Sequence, residues 1–103
     1  MNAVENQVRE LVKVELAAAN ERFPQFHSQH EGYAVILEEV DELGDEVDAI
    51  EGHMRDQWSN IRANEASLYA IKSIESRAVR AACEAIQVAA MCKKFLEMEE
   101  MLK

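Results

Sequence analysis

Glu38, Glu39 and Glu42 stand in the pattern E-E-x-x-E inside a segment with apolar residues at helical spacing. Carboxylates at i and i+3 of a helix project side by side about one turn apart. There they can share a hard cation such as Mg²⁺, which prefers oxygen ligands and keeps several of its waters. On a helical wheel Glu39, Glu42 and Glu46 form one strip. Like charges at that spacing repel, so a cation placed among them would relieve the helix. A third carboxylate normally comes from another helix. Glu84 is the only acid between Glu75 and Glu97. It sits among Ala81, Val88 and Met91 on a segment that reads as buried, where an unpaired carboxylate is costly. The bland readings are a solvated face for Glu38, Glu39 and Glu42, and an exposed edge position or an ion pair with Arg77 or Arg80 for Glu84.

The elements that position these residues read as helices. Val4, Val8, Leu11, Val12 and Leu16 recur at helical spacing, giving a first helix from about Asn2 to Glu21. Residues 22–29 break it, since Pro24 disfavours helix at the residue before it, and Phe23 and Phe26 suggest a packed loop. A second helix spans roughly His30 to Glu51, with Gly52 as its C-terminal cap residue. Its apolar arc comprises Tyr33, Ile36, Val40, Leu43, Val47 and Ile50. Met54, Trp58 and Ile61 predict a short third helix over 53–63, with Asn60 or Asn64 capping the next segment. From Asn64 to Met101 the pattern is helical again, and a break near Ser73 to Ser76 is expected to divide it. Within it, residues 82–92 are apolar nearly all round, as for a helix buried against several neighbours or a second copy.

Composition bounds the rest. The chain has 103 residues, one proline and three glycines, with about half its residues apolar, which is the make-up of a single helical domain spanning 1–103. The formal net charge is −9. Residues 31–57 hold ten of the twenty acids against one base, Arg55, whereas 58–103 are nearly balanced. No basic surface is available for a nucleic-acid backbone, so nucleic acid is not an expected partner. No apolar run approaches membrane-spanning length, and Met1 to Glu15 lack a signal-peptide core. A cytoplasmic location is expected, without membrane contact, and Cys83 and Cys92 read as buried thiols rather than zinc ligands or a disulfide.

Two longer phrases carry a resemblance. His30-Glu31-Gly32-Tyr33-Ala34-Val35-Ile36-Leu37-Glu38-Glu39-Val40-Asp41-Glu42-Leu43 is similar to the metal-binding helix of small phage and bacterial MazG-like proteins. Glu84-Ala85-Ile86-Gln87-Val88-Ala89-Ala90-Met91, with Lys94, Phe95 and Leu96 beyond it, is similar to the matching later helix. The resemblance covers roughly residues 27–51 and 77–100. It implies an all-α, MazG-like helical bundle of four or five helices, completed by oligomerisation as a homodimer or homotetramer. It also implies Mg²⁺-dependent pyrophosphohydrolysis of a nucleoside triphosphate to the monophosphate and pyrophosphate. Glu39, Glu42, Glu84 and the residue at 87 are then the metal ligands, and Glu38 activates the attacking water. On the helical wheel Arg80 and Lys94 share the flank of the last helix that bears Gln87, and they are expected to contact the phosphate tail. Two departures bear on activity. Gln87 replaces the family's usual Asp, and the interval from Glu42 to Glu84 is longer than usual. A neutral amide is a poorer Mg²⁺ ligand and removes one negative charge. The alternative expectations are a catalytically degenerate nucleotide- or protein-binding module and a plain helical oligomerisation protein.

The remaining candidates read as structural. His27, His30 and His53 form no metal spacing, and His30 is expected to help start the second helix. Trp58 and Tyr69 read as core or interface before nucleobase stacking. Met91, Met98 and Met101 read as helix packing.

Overall fold

The computed structural model describes residues 4–103. It holds three helices, α1 (Glu5–Arg22), α2 (Gln29–Arg62) and α3 (Tyr69–Met101), with no strand among the described residues. Three helices replace the four or five expected, because two anticipated breaks do not occur. The expected start of α1 at Asn2 lies outside the described residues.

The first missing break is at Gly52, which sits inside α2 rather than capping it. A single interior glycine costs a helix only about 1 kcal/mol relative to alanine. On the same helix Ala49, Ile50, His53, Gln57 and Asn60 are half-buried, and α3 is the one helix α2 packs against. That packing outweighs the glycine penalty and carries the helix through residues 53–62. The second missing break is at Ser73 to Ser76. Ser73, Ile74 and Arg77 are half-buried on an unbroken α3, so the helix again follows its packed face.

The real stop is Asn64, whose φ of 55° puts it in the left-handed region, where asparagine is among the better tolerated non-glycine residues. Around it the Glu65 N–H donates to the Asn60 carbonyl at 2.9 Å and the Asn64 N–H to that of Ile61 at 3.1 Å. These bonds use up free carbonyls at the end of α2, and the chain reverses within residues 63–68. At the other end Ser28 is extended and its hydroxyl accepts from the Glu31 N–H at 3.1 Å. Ser28 therefore caps α2, and His30 lies in its first turn.

The two long helices form an antiparallel hairpin, and α1 packs on α3 alone. The particle measures 62 × 29 × 23 Å, its long axis somewhat greater than the roughly 51 Å of the 34-residue α2 at about 1.5 Å per residue. The core gathers at one end of the rod: Val12, Phe26, Ala90, Met91 and Met98 are buried, with Leu16, Val35, Ile36, Ile86 and Phe95 packed around them. Gly32 is buried where α2 meets this core. A Cβ there would lie 2.5 Å from Phe95 Cδ2 and 3.0 Å from Phe26 Cδ2, so only glycine allows the approach. The packed loop expected over 22–29 is present in part. Phe26 is buried and Gln25 Nε2 donates to the Lys94 carbonyl at 3.1 Å, whereas Phe23 is exposed.

Some apolar positions expected inside are outside. The arc on α2 splits: Ile36, Leu43 and Ile50 are half-buried, while Tyr33, Val40 and Val47 are exposed. Trp58, Tyr69 and Met101 are exposed as well, so none of them is core. Cys83 is exposed and Cys92 only half-buried, which corrects the buried-thiol reading. Within 82–92 the face bearing Ala82, Cys83 and Ala85 is open, because α3 has neighbours on two sides rather than all round.

Candidate metal centre

The antiparallel pairing of α2 and α3 brings Glu39 and Glu42 opposite Glu84 and Gln87. Each pair is spaced i, i+3, so each helix offers two side chains from one face. One carboxylate oxygen from each of Glu39, Glu42 and Glu84 lies within 4.8 Å of the other two. Glu39 and Glu84 are half-buried and Glu42 is exposed, so the cluster is walled by the helices and open on one side. With its NH₂ turned towards the acids, Gln87 donates to Glu39 Oε2 at 2.8 Å and to Glu84 Oε2 at 3.0 Å. The amide thus ties together one carboxylate from each helix.

The electrostatics reflect that crowding. Burial, then the negative charges of Glu42, Glu84 and Glu38, raise the Glu39 carboxyl from 4.5 to about 7. Glu84 is raised too, first by burial and then by hydrogen bonding to Glu42 and that residue's charge. Crowding of this kind favours the protonated forms of Glu39 and Glu84, and a cation bound among the acids would take the protons' place. Oxygen donors at this separation suit a hard divalent ion. One turn further along the hairpin, Arg77 pairs with Glu46 at 3.4 Å. Arg77 is therefore committed to Glu46, which leaves Glu84 to the acidic cluster.

A cavity of about 590 Å³ adjoins the cluster and shares Glu39 and Gln87 with it. Glu38 is also in its wall, with Arg22 from the end of α1 and Phe23, Pro24 and Phe26 from the α1–α2 connection. Lys94 reaches it from α3. This lysine is buried, with its ammonium 5.0 Å from the centre of the Phe26 ring, in favourable contact with the aromatic face. Glu31, another wall residue, is held below the ordinary carboxylate range chiefly by its hydrogen bond to His27.

Of the residues expected in a site, Glu38, Glu39, Glu84, Gln87 and Lys94 meet at this cavity or at the cluster beside it, and Glu42 completes the cluster. Arg80 does not join them: it is exposed on α3 and lines neither the cluster nor the cavity. Its place on the wheel near Gln87 overlooked how narrow the packed face of α3 is. Arg22 is the basic residue that sequence reasoning missed. It ends α1 just before Pro24, and only the fold of that connection back across α3 puts it near Lys94. Among the described residues no helix is long and apolar enough to cross a membrane. No family model, curated protein or solved structure matches the chain.

Proposed function

We propose that the chain is a MazG-like, Mg²⁺-dependent hydrolase of nucleoside triphosphates, releasing pyrophosphate and the monophosphate. The observation that supports this reading is the convergence of Glu39, Glu42 and Glu84 from two helices beside a cavity holding a buried lysine. Ligand cavities commonly enclose about 300–1,000 Å³, and this one is in that range. Glu39, Glu42 and Glu84 would hold the metal, with the Gln87 carbonyl oxygen available once the amide turns over. Bound there, Mg²⁺ supplies charge neutralisation of the phosphates and an acidified water. The remaining work falls to the protein. Glu38, on the cavity wall, accepts a proton from the attacking water. Lys94 and Arg22 bind the phosphate chain and hold it in line. Phe23, Pro24 and Met91 offer an apolar surface to the base and exclude water from it.

A second reading has one observation in its favour. Gln87 stands where the family resemblance places an Asp, and its NH₂ bridges Glu39 and Glu84, partly satisfying the acids without a metal. On that reading the domain binds a nucleotide and does not turn it over. A pyrophosphate-release assay across nucleoside triphosphates, with and without Mg²⁺, separates the two. The hydrolase requires Mg²⁺-dependent release that Glu39→Ala or Glu84→Ala lowers by at least about a hundredfold. Nucleotide binding without release, with turnover appearing in Gln87→Asp, identifies the degenerate binder. Absence of both binding and release in the presence of Mg²⁺ overturns the proposal.

A further inference from the structure

The outer face of α2 carries an apolar row that nothing covers among the described residues. Tyr33, Leu37, Val40, Val47, Met54, Trp58 and Ile61 are all exposed. With Gly44 and Glu51 they complete the series 33, 37, 40, 44, 47, 51, 54, 58, 61, which alternates steps of four and three without a fault. That alternation is the seam of a two-helix coiled coil. The row spans 29 residues, about 42 Å of helix, and on the order of 400 Å² of apolar surface. Isolated exposed apolar residues are ordinary, whereas a continuous row of this length marks an interaction surface.

Charge decides which partner fits. One flank of the seam carries Asp41, Asp48, Arg55 and Arg62, all exposed, and among the described residues none of the four makes an ion pair. Acids occupy its first half and bases its second. A parallel copy does not bring these flanks together, whereas an antiparallel copy sets equivalent flanks side by side. The register that faces Asp41 with Arg62, and Asp48 with Arg55, is also a register in which the seam residues meet in layers. Ile61 then lies against Leu37 of the second copy, Trp58 against Val40, and Met54 against Gly44. Among the described residues nothing lies within 4 Å of a Cβ built on Gly44, so there is room for the methionine. Glu51 falls opposite Val47, one polar position that fixes the register at some cost in stability.

We propose that α2 pairs antiparallel with α2 of a second copy of this chain, in the register that joins Asp48 to Arg55 and Asp41 to Arg62 across a two-fold axis. The pairing is isologous: each contact occurs twice, and the surface is complementary to itself. It involves none of the carboxylates assigned to the metal, so it stands or falls apart from the hydrolase reading.

The test is sedimentation of the full chain at micromolar concentration, with circular dichroism to follow helix content. The wild-type chain should be a dimer. Asp48→Arg and Arg55→Asp each replace two attractive contacts with two repulsive ones on an exposed face. Each alone should weaken self-association by about tenfold. An equimolar mixture of the two variants restores every opposite-charge contact only in the antiparallel register, and it should dimerise as tightly as wild type. Val47→Glu should leave monomers. A monomeric wild-type chain, single variants that associate like wild type, or a mixture no tighter than its components would each overturn the proposal.

Discussion

Substituting Glu39 by Gln should change how stability depends on pH, and the size of the change reflects the crowding of the three acids. In the folded chain the Glu39 carboxyl is raised from 4.5 to about 7 by burial and by its acidic neighbours. The folded state therefore holds a proton that the unfolded chain releases between those values. Stability falls as pH rises through that window, and the loss is complete above about pH 7. The full displacement corresponds to about 3 kcal/mol, and water on the open Glu42 side reduces it to roughly half. For a chain of this length that is a melting temperature lower by on the order of 10 °C. Glu39→Gln keeps the shape and removes the titration, so its melting temperature should change less between about pH 4.5 and 8. Glu97→Gln, which removes an acid on α3 outside the cluster, serves as the control for net charge. Saturating Mg²⁺ should raise the wild-type melting temperature above about pH 7 and leave Glu39→Gln nearly unmoved. Thermal melts followed by circular dichroism, in EDTA and in Mg²⁺, measure all of this. Parallel pH profiles for wild type and Glu39→Gln would refute the reasoning.

Lys94→Met should leave stability unchanged or raise it by about 1 kcal/mol, since it replaces a buried charge with an apolar side chain of similar length. The same variant should bind a non-hydrolysable nucleoside triphosphate about tenfold more weakly by calorimetry, with one phosphate contact removed. Gly32→Ala puts a methyl group against Phe95 and Phe26 at the α2–α3 crossing. It should cost about 1–3 kcal/mol in urea denaturation.

The helical class and the pairing of the acidic helix with the Glu84 helix were legible because both rest on side-chain type and period. Glu39 and Glu42 announce a shared face by spacing alone, and Glu84 is conspicuous as a lone acid in an apolar stretch. What the periodicity concealed was continuity. Gly52 and the serines at 73 and 76 are residues that usually punctuate a helix, yet tertiary packing along the hairpin overrides weak local preferences. The stop at Asn64 depends on a left-handed backbone that its neighbours do not encode by period. The arc on α2 was one stripe in sequence and two in the fold, because α3 covers only the side bearing Ile36, Leu43 and Ile50. Arg22 was invisible for a different reason: its position depends on where a non-helical connection crosses another element, and no pattern within the segment itself specifies that.

The unequal lengths of the helices have a dynamic consequence. At 18 residues α1 reaches about 27 Å, whereas α2 extends about 51 Å, and every residue of the core cluster lies in α1, in the α1–α2 connection or in the halves of α2 and α3 next to them. The far half of the hairpin, towards the Asn64 turn, is only two helices thick, and Ala70 is its one buried residue. Amide protons there should exchange with solvent through local fraying at a small free-energy cost, while those around Ala90 and Met91 should exchange only when the whole chain opens. The acidic cluster stands at the border between the two regimes, so its geometry should be held from the slow-exchanging end.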